Sequence, residues 1–137
     1  MTDRPESEKK HLFTKSNYLL DLEYLIGLEK VAPHRDAIRF MTDLSILFLK
    51  QAPLEIQALD KTLPKNDKKA VAAANSRLKG VCAGIGALYM TDLCRQIEKS
   101  IGDKDGGLTR LLVEQLKDAF LVTRDQVQAY TAQVKNP

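Results

Sequence analysis

The segment Asp67-Lys68-Lys69-Ala70-Val71-Ala72-Ala73-Ala74-Asn75-Ser76-Arg77-Leu78-Lys79-Gly80-Val81-Cys82-Ala83-Gly84-Ile85 contains no proline and repeats its larger apolar residues at helical steps. Val71, Ala74, Leu78, Cys82 and Ile85 follow one another every three or four residues. At about 100° per residue they fall within an arc of roughly 80°, the buried stripe of an amphipathic helix. Asn66 or Asp67 supplies a side-chain oxygen able to cap its first turn. Gly84 and Gly86 loosen its end.

Helical periodicity continues on both sides of this segment. Downstream, a helix is predicted from Leu88 to Ile101, with Tyr89, Leu93, Cys94, Ile97 and Ile101 inward. Gly102 suits a left-handed helix end, and residues 103–107 read as a loop. A last helix is predicted over Leu108–Val134, its stripe formed by Leu112, Leu116, Ala119, Phe120, Thr123, Val127, Tyr130 and Val134. Upstream, a helix runs from His34 to about Gln51 with Ile38, Phe40, Met41, Leu44, Leu47 and Phe48 apolar. Pro53 is expected to break or kink it, and a further stretch carries Leu54, Ile56, Leu59 and Leu63 up to Pro64. A short helix is predicted over Asn17–Leu28, ended by Gly27 and Pro33. Residues 1–15 are charged and aperiodic and read as a mobile tail. The expected architecture is all-α: an antiparallel up-down four-helix bundle with a short additional N-terminal helix, one domain over residues 16–135.

Composition agrees with a helical bundle and narrows the partners. Of 137 residues, 44% are hydrophobic but only 6% aromatic, and Trp is absent, so the core is aliphatic. The formal net charge of +3 is too small to argue for nucleic acid. The two cysteines, Cys82 and Cys94, sit in apolar periodic segments without metal-ligand spacing and read as reduced core thiols of a cytoplasmic protein. No cofactor or metal site is expected. No apolar run reaches the ~18 residues of a membrane span, and the polar N-terminus does not read as a secretory signal.

The outer face of the Asp67–Ile85 helix is unlike a solvated surface. Opposite the buried stripe stand Lys69, Ala73, Ser76, Gly80, Ala83 and Gly84, and only Lys69 among them has a long side chain. Solvated helix faces normally carry Glu, Lys, Gln and Arg. A mid-helix glycine such as Gly80 costs about 1 kcal/mol against alanine. Lys68, Lys69, Arg77 and Lys79 ring the patch. A flat face of small residues with a basic rim suits docking onto an acidic pocket. The competing explanation is that Gly80 and Ala83 face a second layer of helix within the same chain.

The residues on that face carry a resemblance. Asn75-Ser76-Arg77-Leu78-Lys79-Gly80 resembles the His-x-Leu-Lys-Gly motif of histidine-containing phosphotransfer (HPt) domains. Ile85-Gly86-Ala87 is similar to that family's following turn, and Leu93-Cys94 with Ile97-Glu98 to its Leu-Cys-x-x-Leu-Glu segment. Phe48-Leu49, Pro53 and Leu59 resemble the family's long helix and its break, and Tyr24-Leu25 with Gly27-Leu28 its opening helix. The resemblance spans residues 17–132 and departs at one decisive place. The family's phosphate-accepting histidine falls on Ser76. The chain's only histidines, His11 and His34, lie elsewhere. In a phosphorelay an imidazole nitrogen attacks an acyl phosphate, and the labile phosphorus–nitrogen bond makes transfer reversible. A serine hydroxyl is a poor nucleophile without an adjacent base, and its phosphate ester is too stable to hand on.

The resemblance therefore implies a phosphorelay module of two-component signal transduction that is not itself an enzyme. Its implied partner is a response-regulator receiver domain or a hybrid histidine kinase, bound by a monomer through Lys69, Ala73, Ser76, Arg77, Lys79, Gly80 and Ala83. In the family's pattern Lys79 matches the lysine that neutralises phosphate, Gly80 the glycine that gives access, and Glu98 a polar residue beside the active position. Two alternatives stand beside this reading. The chain could be an active phosphotransfer protein seen as a His-to-Ser variant. It could also be a helical interaction module outside phosphorelay, with Ser76 the target of a serine kinase.

Overall fold

The computed structural model describes residues 34–135, with side-chain surroundings for residues 39–133. The short helix expected over Asn17–Leu28, the tail over residues 1–15 and His11 lie outside the described residues. Four α-helices follow one another: α1 (His34–Thr62), α2 (Lys68–Gly84), α3 (Leu88–Gly102) and α4 (Gly106–Lys135), with a 3-10 turn over Leu63–Lys65 after α1. No strand occurs among the described residues. Each helix packs on the next, and α4 closes the ring against α1. Such short connections force neighbours to run antiparallel, which makes the up-down bundle expected from the sequence.

Local chemistry sets each turn. Asn66 takes the left-handed conformation at φ 56° and donates its N–H to the Leu63 carbonyl. Asp67 then caps α2 by accepting from the Ala70 N–H at 3.1 Å. Gly86, at φ 73°, reverses the chain between α2 and α3. The N–H of Ala87 there reaches back to the Cys82 carbonyl at 2.9 Å, which satisfies the helix end. The third turn departs from expectation. Gly102 was predicted to be the left-handed residue, but it remains within α3, and Lys104 at φ 57° makes the reversal. Helical bonding persists past Gly102 because the Asp103 N–H still bonds the Lys99 carbonyl at 2.9 Å. Asp105 caps the next helix through the Leu108 N–H at 3.1 Å, so α4 starts at Gly106 rather than Leu108.

Pro53 does not break α1, contrary to expectation; one helix runs from His34 to Thr62 with Pro53 inside it. Proline in a helix interior costs about 3 kcal/mol. Burial on either side offsets this, because Phe48, Ala52 and Leu59 are completely buried. Each large side chain so placed contributes about 1.5–3 kcal/mol. Pro53 itself is exposed, so its ring does not enter the core.

The core follows the expected stripes, with named exceptions. All five stripe residues of α2 are buried, as are Leu93, Cys94, Ile97, Leu112, Leu116 and Val127. The Phe48 and Phe120 rings meet at 5.6 Å between centroids and join α1 to α4. Met90 and Val113, outside the predicted stripes, are fully buried. Phe40, Leu47 and Leu54, apolar residues of the same helix, are 45%, 46% and 56% exposed. Their heptad spacing places them roughly 120° from the Met41–Phe48–Leu59 line, beyond the reach of the core.

Candidate functional site

The capped and buried side of α2 fixes what its other side presents. Val71, Ala74, Asn75, Leu78 and Cys82 point inward. Lys69, Ala73, Ser76, Arg77, Gly80 and Ala83 are exposed, and Lys79 is half-buried. The structure thus brings all seven predicted docking residues to the outer side of one helix. A β-carbon built on Gly80 or Gly84 would meet nothing within 4 Å. No described residue therefore packs on Gly80, and the explanation by a second helix layer fails among the described residues. The glycine leaves open a surface that the described bundle does not use.

The basic rim is less free than the sequence suggests. Lys79 Nζ lies 3.0 Å from Glu98 Oε1 on α3. Arg77 Nε donates to Glu55 Oε2 on α1 at 3.0 Å. The hydrogen bond to Glu55, and then its charge, raise the arginine pKa above its ordinary value. Glu98 is exposed, so a partner's carboxylate can exchange for it at Lys79 at small cost, whereas Glu55 is mostly covered. The two pairs also tie the face of α2 to α3 on one side and α1 on the other. Neither the pairing of Glu98 with Lys79 nor that of Glu55 with Arg77 was foreseen. Nothing in the spacing of residues 55 and 77 announces a contact between helices.

Ser76 stands in mid-helix on this face. Its hydroxyl makes no hydrogen bond to a described residue. Asn75, its polar neighbour in sequence, faces inward at 2% exposure and donates from Nδ2 to the Cys94 carbonyl at 2.8 Å. At about 100° per residue it lies roughly 20° beyond the edge of the buried arc, so packing against α3 and not the stripe itself buries it. Asn75 thus pins α2 to α3 beneath Ser76 rather than assisting it. His34 opens α1 and is not on α2. Cys82 and Cys94 are both free and fully buried. The hydrogen bond that the Cys82 thiol donates to Cys94, and then burial, push that thiol well above the usual thiol range, which suits inert core thiols. No group of three His, Cys, Asp or Glu residues able to hold a metal occurs among the described residues. No helix among them is long and apolar enough to cross a membrane. The arrangement can present a small-residue surface flanked by the Arg77–Glu55 and Lys79–Glu98 ion pairs.

Two solved structures share the fold. Histidine-containing phosphotransfer protein B from Pseudomonas aeruginosa PAO1 aligns with a TM-score of 0.67 at 20% identity, over 84% of this chain and 96% of that one. A protein from rice described as a histidine-containing phosphotransfer protein aligns with a TM-score of 0.70 at 21% identity, over 94% and 93%. No curated protein sequence matches the chain. Residues 43–133 match the family model of the Hpt domain, a span that contains Ser76, Lys79, Gly80 and Glu98. The chain belongs to the Hpt domain family, the phosphotransfer modules of phosphorelay signalling.

Proposed function

We propose that this chain docks a response-regulator receiver domain or a hybrid histidine kinase through the outer face of α2 and hands on no phosphate. The observation that carries this reading is the open surface at Gly80, where an added β-carbon meets nothing within 4 Å. A helix that sacrifices about 1 kcal/mol at an exposed glycine gains nothing from it within the described bundle. The gain falls instead to a partner whose backbone approaches closely. Ser76 lies one turn before Gly80 on the same face, where the family's histidine falls. A hydroxyl with no base beside it neither attacks an acyl phosphate at a useful rate nor returns the group once esterified. Such a module sequesters a receiver, competes with a histidine-bearing member for it, or bridges two components. Lys79 serves docking by leaving Glu98 for a carboxylate of the partner's acidic pocket.

An NMR titration of isotope-labelled protein with receiver domains, with and without beryllofluoride, tests this. The expected result is a cluster of shifted amides at Ala73, Ser76, Lys79, Gly80 and Ala83. If no receiver or kinase domain moves these signals, the docking face is wrong. A parallel incubation with a radiolabelled phospho-receiver checks the chemistry. The chain should take up no label, and stable label on Ser76 would contradict a non-transferring role.

A further inference from the structure

At the end of the bundle where α1 leads into α2 and α3 into α4, a hollow of about 50 Å³ opens to solvent. Its walls are Leu63, Val71 and Ile101, and Lys68, Lys104 and Arg110 stand around its rim. This place lies beyond the Lys69 end of the Ser76 face: Lys68, which borders both, is two turns before Ser76 along α2, about 12 Å at 1.5 Å per residue. We infer that this basic-rimmed hollow binds an acidic peptide segment of a partner protein, with one branched aliphatic side chain in the hollow and flanking carboxylates on the three cations. The inference does not depend on the reading of Ser76.

Size decides against a small-molecule site. Pockets for cofactors and drug-sized ligands span about 300–1,000 Å³. A hollow of about 50 Å³ takes the end of a Leu, Ile or Val side chain and not a nucleotide. The polar atoms at its base are already satisfied, because Ser100 Oγ and Thr109 Oγ1 hydrogen-bond each other at 2.6 Å. The base therefore asks for no polar ligand.

Charge decides the flanks. Lys68, Lys104 and Arg110 are exposed, and none forms an ion pair with a described residue. One carboxylate, Asp105, lines the same hollow and caps α4 through the Leu108 N–H at 3.1 Å; it keeps its charge, so the lining carries three cations against one anion. The N-terminus of α2 is likewise capped by Asp67. Both helix starts being capped from within, an incoming carboxylate is met by the three side-chain cations. Three cations gathered around an apolar depression complement an acidic segment with one aliphatic anchor.

The test uses the full chain and a fluorescein-labelled hexapeptide in which one leucine stands between glutamate residues. Anisotropy should show saturable binding, weakened about tenfold when the peptide's leucine becomes alanine. Arg110→Glu and Lys104→Asn should each weaken it by about tenfold as well, and asparagine tolerates the left-handed backbone at that position. Amide shifts should map to Val71, Ile101, Lys104 and Arg110. Thermal unfolding checks that the variants fold, and Lys68→Glu at the first position of α2 is a second variant that the helix start favours. Equal binding of the leucine and alanine peptides would reduce the site to diffuse charge attraction and overturn the inference. Shifts confined to the Ser76 face, or no saturable binding, would overturn it too. Inorganic phosphate that competes as well as the peptide would show a bare anion site, again against it.

Discussion

Replacing Gly80 should move stability and partner binding in opposite directions. Gly80 lies within α2 without positive φ, and an added β-carbon meets nothing within 4 Å. Gly80→Ala therefore creates no clash and recovers the helix propensity that glycine forfeits, about 0.5–1 kcal/mol. For a chain of this size that raises the thermal midpoint by about 2–4 °C. Gly80→Gln recovers part of the same gain, because glutamine is also a better helix former than glycine. Binding should respond the other way. A glutamine side chain projecting from a face made of Ala73, Ser76 and Ala83 holds the partner off and leaves unfilled space around it. A loss of about 1.4 kcal/mol is tenfold in affinity, and the glutamine variant should lose at least that much. The alanine variant should fall between it and the parent. Calorimetric melts with titrations against a receiver domain measure both quantities. A destabilised Gly80→Ala variant would show that something packs on the glycine in the full chain. A more stable Gly80→Gln variant with unchanged affinity would refute the docking face itself.

Two further outcomes follow from the core. Leu78 is completely buried on the opposite side of α2, so Leu78→Ala should cost about 2–5 kcal/mol in urea unfolding, and a negligible loss would mean that the inward face of α2 is misassigned. Cys82 and Cys94 are fully buried, and the Cys82 thiol is pushed up by its hydrogen bond to Cys94, so labelling at about pH 8.5, where a free thiol is half-ionised, should proceed only through global unfolding. Rapid stoichiometric labelling under native conditions would contradict that burial.

The helices and their faces were legible in the sequence, since a period of 3.6 residues is a local property of the chain. Val71, Ala74, Leu78, Cys82 and Ile85 declared the buried side of α2, and Asp67 declared its start. The small residues opposite them, with Ser76 in place of a histidine, singled out the face before any tertiary contact was known. The same local rule failed where tertiary packing competes with it. Pro53 reads as a break, yet the core clamps Phe48, Ala52 and Leu59 on either side and the helix continues. Gly102 reads as the left-handed end, yet helical bonds persist and Lys104 takes that conformation. Met90 and Val113 lie outside the predicted stripes, yet both are fully buried.

What the sequence determined by itself was the all-helical class, the buried stripe of α2 and the absence of a histidine from the opposite face of that helix. Each depends on residues within a few positions of one another. What only the tertiary structure decided was which residues meet across helices. Lys79 pairs with Glu98 and Arg77 with Glu55, and no spacing rule joins those positions. The open space above Gly80 and the basic-rimmed hollow at the end of the bundle are of the same kind. They are fixed by how α1, α2, α3 and α4 pack side by side, through contacts whose partners are far apart in the chain.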